Sequence, residues 1–124
     1  MSKMRIKVAK ITYNFAVDGG TASTITPAKT ESLPAGAIVL RVFSNERTPF
    51  TSSGSATVLL QCGSTALTSA LAYDTGFTGA GDTHALASSA EAIELTAKGD
   101  LKVTIGTAAL TAGVCDFYVE YVDA

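Results

Sequence analysis

The chain has 124 residues, a mass of 12.7 kDa and a formal net charge of −2. A hydrophobic fraction of 47% excludes a disordered chain, while charged residues, at 16%, fall below the roughly 25% of ordinary soluble domains. No apolar stretch approaches the ~20 residues of a membrane-spanning helix, and no basic stripe exists of the kind that nucleic-acid binding needs.

Five of the nine cations fall in "KMRIKVAK" and at Lys29, close to the N-terminus. That start lacks the apolar core of a signal peptide, so the chain is expected to stay in the cytosol of the cell that makes it. In "RIKVAKITYNFAV" the period is two. Ile6 and Val8 share one side, whereas Ile11, Tyr13, Phe15 and Val17 share the other, which predicts a bulge or bend near Ala9 and Lys10, or a strand that leaves one sheet for another. "DGG" at 18–20 is a turn, and "TASTIT" reads as a short strand ended by Pro27.

"LPAG" at 33–36 launches a long strand, "AIVLRVFS", with the side of Ile38, Leu40 and Val42 assigned to the core. "NERTPFTSSGS" then reads as a connection, with Pro49 blocking further pairing. Its Arg47, Pro49 and Phe50 are candidate protein-contact residues, because aromatic and Arg side chains are enriched where proteins meet. Phe50 has an equal alternative, folding back as a lid on the core. "ATVLLQCG" resumes the strand pattern, with Val58, Leu60 and Cys62 on one face.

"DTGFTGAGDTH" reads as a glycine-rich loop. Residues 82–92 fit helical turns, or a loop leading to a strand near Ala92–Thr96. In "LKVTIG", Leu101, Val103 and Ile105 alternate with polar residues. "TAALTAG" connects to "VCDFYVEYV", where Cys115, Phe117, Val119 and Tyr121 alternate with Asp116, Tyr118 and Glu120. These runs predict one all-β domain over residues 1–124. The expected fold is a β-sandwich, Greek-key or jelly-roll-like, of seven or eight short antiparallel strands.

No catalytic constellation emerges. His84, the one histidine, sits in a polar stretch and reads as a solvated side chain. "GFTGAGDTH" lacks the Gly-Lys-Ser/Thr of a phosphate loop. The acids show no calcium-loop spacing, and Cys62 and Cys115 stand too far apart for a zinc motif, so no metal, cofactor or catalytic residue is expected. Both cysteines read as buried, reduced thiols, with a disulfide open only if their strands are neighbours.

The runs "LPAGAIVLRVFSNERTPF", "ATVLLQCGSTALTSALAYD" and "DLKVTIGTAALTAGVCDFYVEYVDA" resemble capsid decoration (cement) proteins of tailed bacteriophages. The shared pattern is a Pro-Gly launched strand, a "TPF" corner, a strand ending in Gly and a closing aromatic strand. It covers about two-thirds of the chain, with residues 64–95 matching only loosely. The resemblance implies a non-enzymatic virion protein, made in the bacterial host cytoplasm. It would bind the major capsid protein as a homotrimer on the capsid surface, with no nucleic-acid or membrane partner. The low charge and Thr/Ser/Ala-rich surface agree, since few ions need desolvation on association. Two other readings stay open: a tail- or fibre-associated structural protein, and a carbohydrate-binding β-sandwich displaying Tyr13, Tyr73, Tyr118 and Tyr121.

Overall fold

A computed structural model describes residues 5–77, 79 and 81–123, leaving Lys3 of the N-terminal basic run outside the described residues. Two antiparallel sheets pack face to face. The first has the order β1 (Ile6–Asn14), β11 (Leu110–Asp123), β4 (Ala37–Ser52), β8 (Asp82–His84), with β9 (Ile93–Glu94) also on β4. The second runs β2 (Thr24–Ile25), β10 (Gly99–Gly106), β5 (Thr57–Cys62), β6 (Thr65–Ala66), with β3 (Ser32–Leu33) also on β10 and β7 (Leu71–Ala72) also on β5.

The short strands come in pairs that share one neighbour. β2 and β3 both pair with β10, β6 and β7 with β5, and β8 and β9 with β4. Counting each pair as one interrupted edge strand leaves eight strand positions, ordered 1-8-3-6 in one sheet and 2-7-4-5 in the other. That is the jelly-roll order of two interlocked Greek keys.

The core lies between the sheets. Val58, Leu60 and Cys62 on β5 and Leu101, Val103 and Ile105 on β10 are buried from one side. Cys115, Phe117 and Val119 on β11 are buried from the other, as their period of two predicts. Cys62 and Cys115 are both buried free thiols.

Several expectations need correction. β1 has no bulge: its pairing with β11 runs unbroken from Ile6↔Val122 to Asn14↔Val114. Ala9, Ile11 and Tyr13 continue the buried face, so Ile6 and Val8 stand on the outer face, 64% and 52% exposed. The strand stops at Asn14, whose side chain accepts from the Ala16 N–H and caps a helical turn, α1 (Phe15–Asp18). Phe15 and Val17 therefore do not extend β1.

In the first half of β4 the core residues are Ala37, Val39 and Val42, whereas Leu40 is 37% exposed. The partners of Arg41 and Val39 are the adjacent Glu120 and Tyr121, so Leu40 is an extra, bulged residue that reverses the alternation. Pro49 does not end the strand. Thr48 pairs with Val114 and Thr51 with Ala112, so Pro49, which has no N–H, falls where the ladder is already broken. "TAALTAG" is in part β11, and the glycine-rich stretch ends in strand β8. Between β8 and β9 the chain makes a short 3-10 turn, Ala87–Ser89.

Candidate functional site

The three residues singled out in "RTPF" part company in the structure. Arg47 and Pro49 are exposed, and Phe50 is 4% exposed within the core. Of the two alternatives for Phe50, the structure takes the core. Its ring packs edge-on to Phe77 at 4.9 Å between centroids and lies 5.8 Å from Tyr13. The Phe50 N–H donates to Glu46 Oε2 at 3.2 Å, closing the bulge with a side-chain acceptor. Opposite lies Gly113, at φ 143°, where a β-carbon would meet the Phe50 ring.

Arg47 reaches across to β11. Its Nε lies 3.1 Å from Asp116 Oδ2, and its Nη2 donates to Asp116 Oδ1, also at 3.1 Å. Thr12 of β1 donates its hydroxyl to the same Oδ1 at 2.8 Å. Asp116 is buried although it occupies the outward register of β11, because Thr12 and Arg47 cover it from both sides. A carboxylate there needs these charge-assisted bonds to offset its lost hydration. Alternation alone had placed Asp116 in solvent; an Arg and a Thr on neighbouring strands were not visible as its partners from spacing.

Beside this ion pair a cleft of about 320 Å³ opens, lined in part by Asn14, Lys29, Thr48 and Val114. Its far wall is held by Asp18, whose two carboxylate oxygens accept from the N–H groups of Asn14 and Ala28, each at 2.9 Å. The Thr12 N–H donates to the Lys29 carbonyl at 2.9 Å, fixing this wall against β1.

His84 is buried, not solvated. β8 pairs with β4 and points the ring inward, where it meets Phe77 edge-on at 5.2 Å. His84 Nε2 lies 2.7 Å from Ser44 Oγ. Burial lowers the imidazole pKa, and the Asp82 carboxylate, 3.9 Å from the same nitrogen, opposes that shift. A nucleophile relay needs the acid on the opposite ring nitrogen and a reachable hydroxyl. Here serine and acid share Nε2 and Ser44 is 0% exposed, so the cluster serves as a buried polar anchor for β8. Among the described residues no group of three or more His, Cys, Asp or Glu side chains is arranged to hold a metal ion.

The outer face of the first sheet carries the most exposed apolar area of β1. Next to Ile6 and Val8, Lys10 lies with its Nζ 5.8 Å from the Tyr118 ring centroid. Tyr118 in turn stacks on Phe43 at 5.0 Å and 13°. Arg41 and Glu120 pair at 2.8 Å between them and the sheet end. Tyr13 is fully buried, so it contributes nothing to a display of aromatics. The apolar mismatch of Ile6 and Val8 with the rest of β1 was the sequence signal for this face, and it was spent on predicting a bend.

No protein-family model and no curated protein sequence matches the chain. Among solved structures, the chain is similar to one in the cyanophage Pam1 capsid asymmetric unit. The TM-score is 0.66 with 22% sequence identity, over 98% of this chain and 86% of that one. At that identity the likeness establishes a shared fold along nearly the whole length.

Proposed function

We propose that the chain is a structural protein of a tailed-phage virion. It folds as one domain, binds the major capsid protein on the capsid surface as a homotrimer, stabilises the shell and performs no catalysis. The observation that carries this reading is the end-to-end likeness to a chain of a phage capsid asymmetric unit. It is supported by a jelly-roll strand order, an architecture common among capsid proteins, and by a surface whose low charge makes association cheap in desolvation. Closed rotational symmetry is the default for soluble homo-oligomers, and a trimer matches the local three-fold points of an icosahedral shell.

The test mixes purified chain with capsids of its own phage from which the protein has been omitted. Saturable co-sedimentation and a rise in the temperature at which the shells release their DNA are expected. Shells that neither bind the chain nor gain heat resistance refute the reading.

A further inference from the structure

The first sheet ends in two open edges of opposite chemistry. At one end β1 has β11 as its one strand neighbour among the described residues, with a single bridge, Thr12 to Lys29, on its other side. Thr12 turns its N–H away from β11 to Lys29, so Ile6, Val8 and Lys10, in step with it, turn their backbone groups to the same open side. That edge carries exposed Arg5, Lys7 and Lys10 around the exposed Ile6 and Val8, with Lys7 Nζ also reaching Asp123 Oδ2 of β11 at 3.3 Å. At the other end β9 pairs with β4 alone among the described strands. Its segment, "EAIE" at 91–94, presents exposed Glu91, Ala92 and Glu94.

The edges also match in level and direction. One rung of the sheet runs Ile6–Val122–Ile38–Glu94, and the next Lys7–Tyr121–Val39–Ile93. β1 is antiparallel to β11, which is antiparallel to β4, which is antiparallel to β9. A second copy continuing the sheet in line thus brings its β1 antiparallel to β9 of the first. Self-pairing of β1 with β1 would set like charges opposite each other, which destabilises a ladder. A lysine-bearing edge repels its own kind and attracts an acidic one. Moreover, a three-fold ring cannot be built from a self-complementary contact; it needs two different surfaces that meet head to tail.

We propose that copies of this chain join through these edges, β1 of one against β9 of the next, so that the basic edge of Lys7 and Lys10 meets the acidic edge of Glu91 and Glu94, with Ile6 set opposite Glu94 and Val8 opposite Ala92 and both covered in the contact. The inference rests on the homotrimer reading and names the surface that builds it.

The experiment is a charge swap read by light scattering. One half-swap carries Lys7→Glu with Lys10→Glu, the other Glu91→Lys with Glu94→Lys, and the full swap carries all four. Expected is a three-chain mass for the native chain and the full swap, and a one-chain mass for each half-swap with unchanged circular dichroism. Should a half-swap melt early, Ile6→Ser with Val8→Ser, both at exposed positions, must give the same loss of the three-chain species. A monomeric native chain, half-swaps that stay trimeric, or a full swap that fails to reassemble each overturns the inference. Co-sedimentation with capsids, scored on the same samples, separates the two ideas. Trimers indifferent to the swaps that still sediment refute the edge contact alone, and swap-sensitive trimers that never sediment refute the capsid reading alone.

Discussion

Replacing Gly113 by alanine tests the aromatic corner where β4 and β11 are both irregular. A β-carbon at Gly113 would meet Phe50 Cδ1 inside van der Waals contact, Cε1 at 2.9 Å and Cα at 3.2 Å. The backbone there is also at φ 143°, a region that L-residues avoid. The conformational part costs about 1–2 kcal/mol. Pushing the Phe50 ring off Phe77 and Tyr13 adds about 1–3 kcal/mol of overpacking. The expected destabilisation is therefore about 2–5 kcal/mol, a drop in Tm of about 8–20 °C at roughly 4 °C per kcal/mol for a chain of this size. Urea titrations of four chains measure it: native, Gly113→Ala, Phe50→Ala and the double variant. Phe50→Ala alone should cost about 3–5 kcal/mol. In its background the ring is gone, so Gly113→Ala should cost only the conformational part, about 1–2 kcal/mol, leaving a coupling of about 1–3 kcal/mol. Equal costs in both backgrounds would refute the claim that the glycine exists to admit the ring.

Arg47→Met strips the buried Asp116 carboxylate of its cation and should destabilise by about 1–3 kcal/mol by urea titration, whereas Arg41→Met, at the exposed Glu120 pair, should cost under about 1 kcal/mol. Burial holds the folded-state pKa of His84 below its usual value, so between the folded-state pKa and about 6.5 the unfolded chain takes up the proton that the native one refuses. Its contribution is present above pH ~6.5 and is lost as pH falls; the difference in stability between native chain and His84→Gln should shrink on acidification from pH 7 to 5, and a difference constant with pH would refute it. Burial raises the pKa of both thiols, that of Cys115 more than that of Cys62, so a thiol reagent should label neither in the folded chain and both in urea.

Strands with a plain two-residue period, β5, β10 and most of β11, were legible in the sequence because both of their neighbours are sheet strands and one face is core. β4 was legible as a strand but not in its facing. One bulged residue at Leu40 reverses the alternation, and nothing local distinguishes a bulged leucine from a paired one. Pro49 misled for a related reason: a proline is incompatible with a regular ladder but not with a broken one, and the break depends on Gly113, more than sixty residues away. The short edge β8 could not be read, since three residues carry no period, and β9 was read only as one of two alternatives near Ala92–Thr96. The same holds for the buried polar groups. Asp116 and His84 are ordinary surface residues by composition, and only strands distant in sequence bring them Arg47, Thr12 and Ser44. At the candidate contact residues, Phe50 was left open between two environments because an aromatic after a proline suits either one.

The placement of β11 has a consequence for the order in which the fold can close. It lies between β1 and β4, so both pair with a strand that follows them by a long stretch of chain. Until β11 is in place, β1 has no strand neighbour among the described residues, and β1 and β4 cannot belong to one sheet. Closure of the first sheet is therefore built from contacts of high sequence separation and belongs to the millisecond-to-second class of folding reactions.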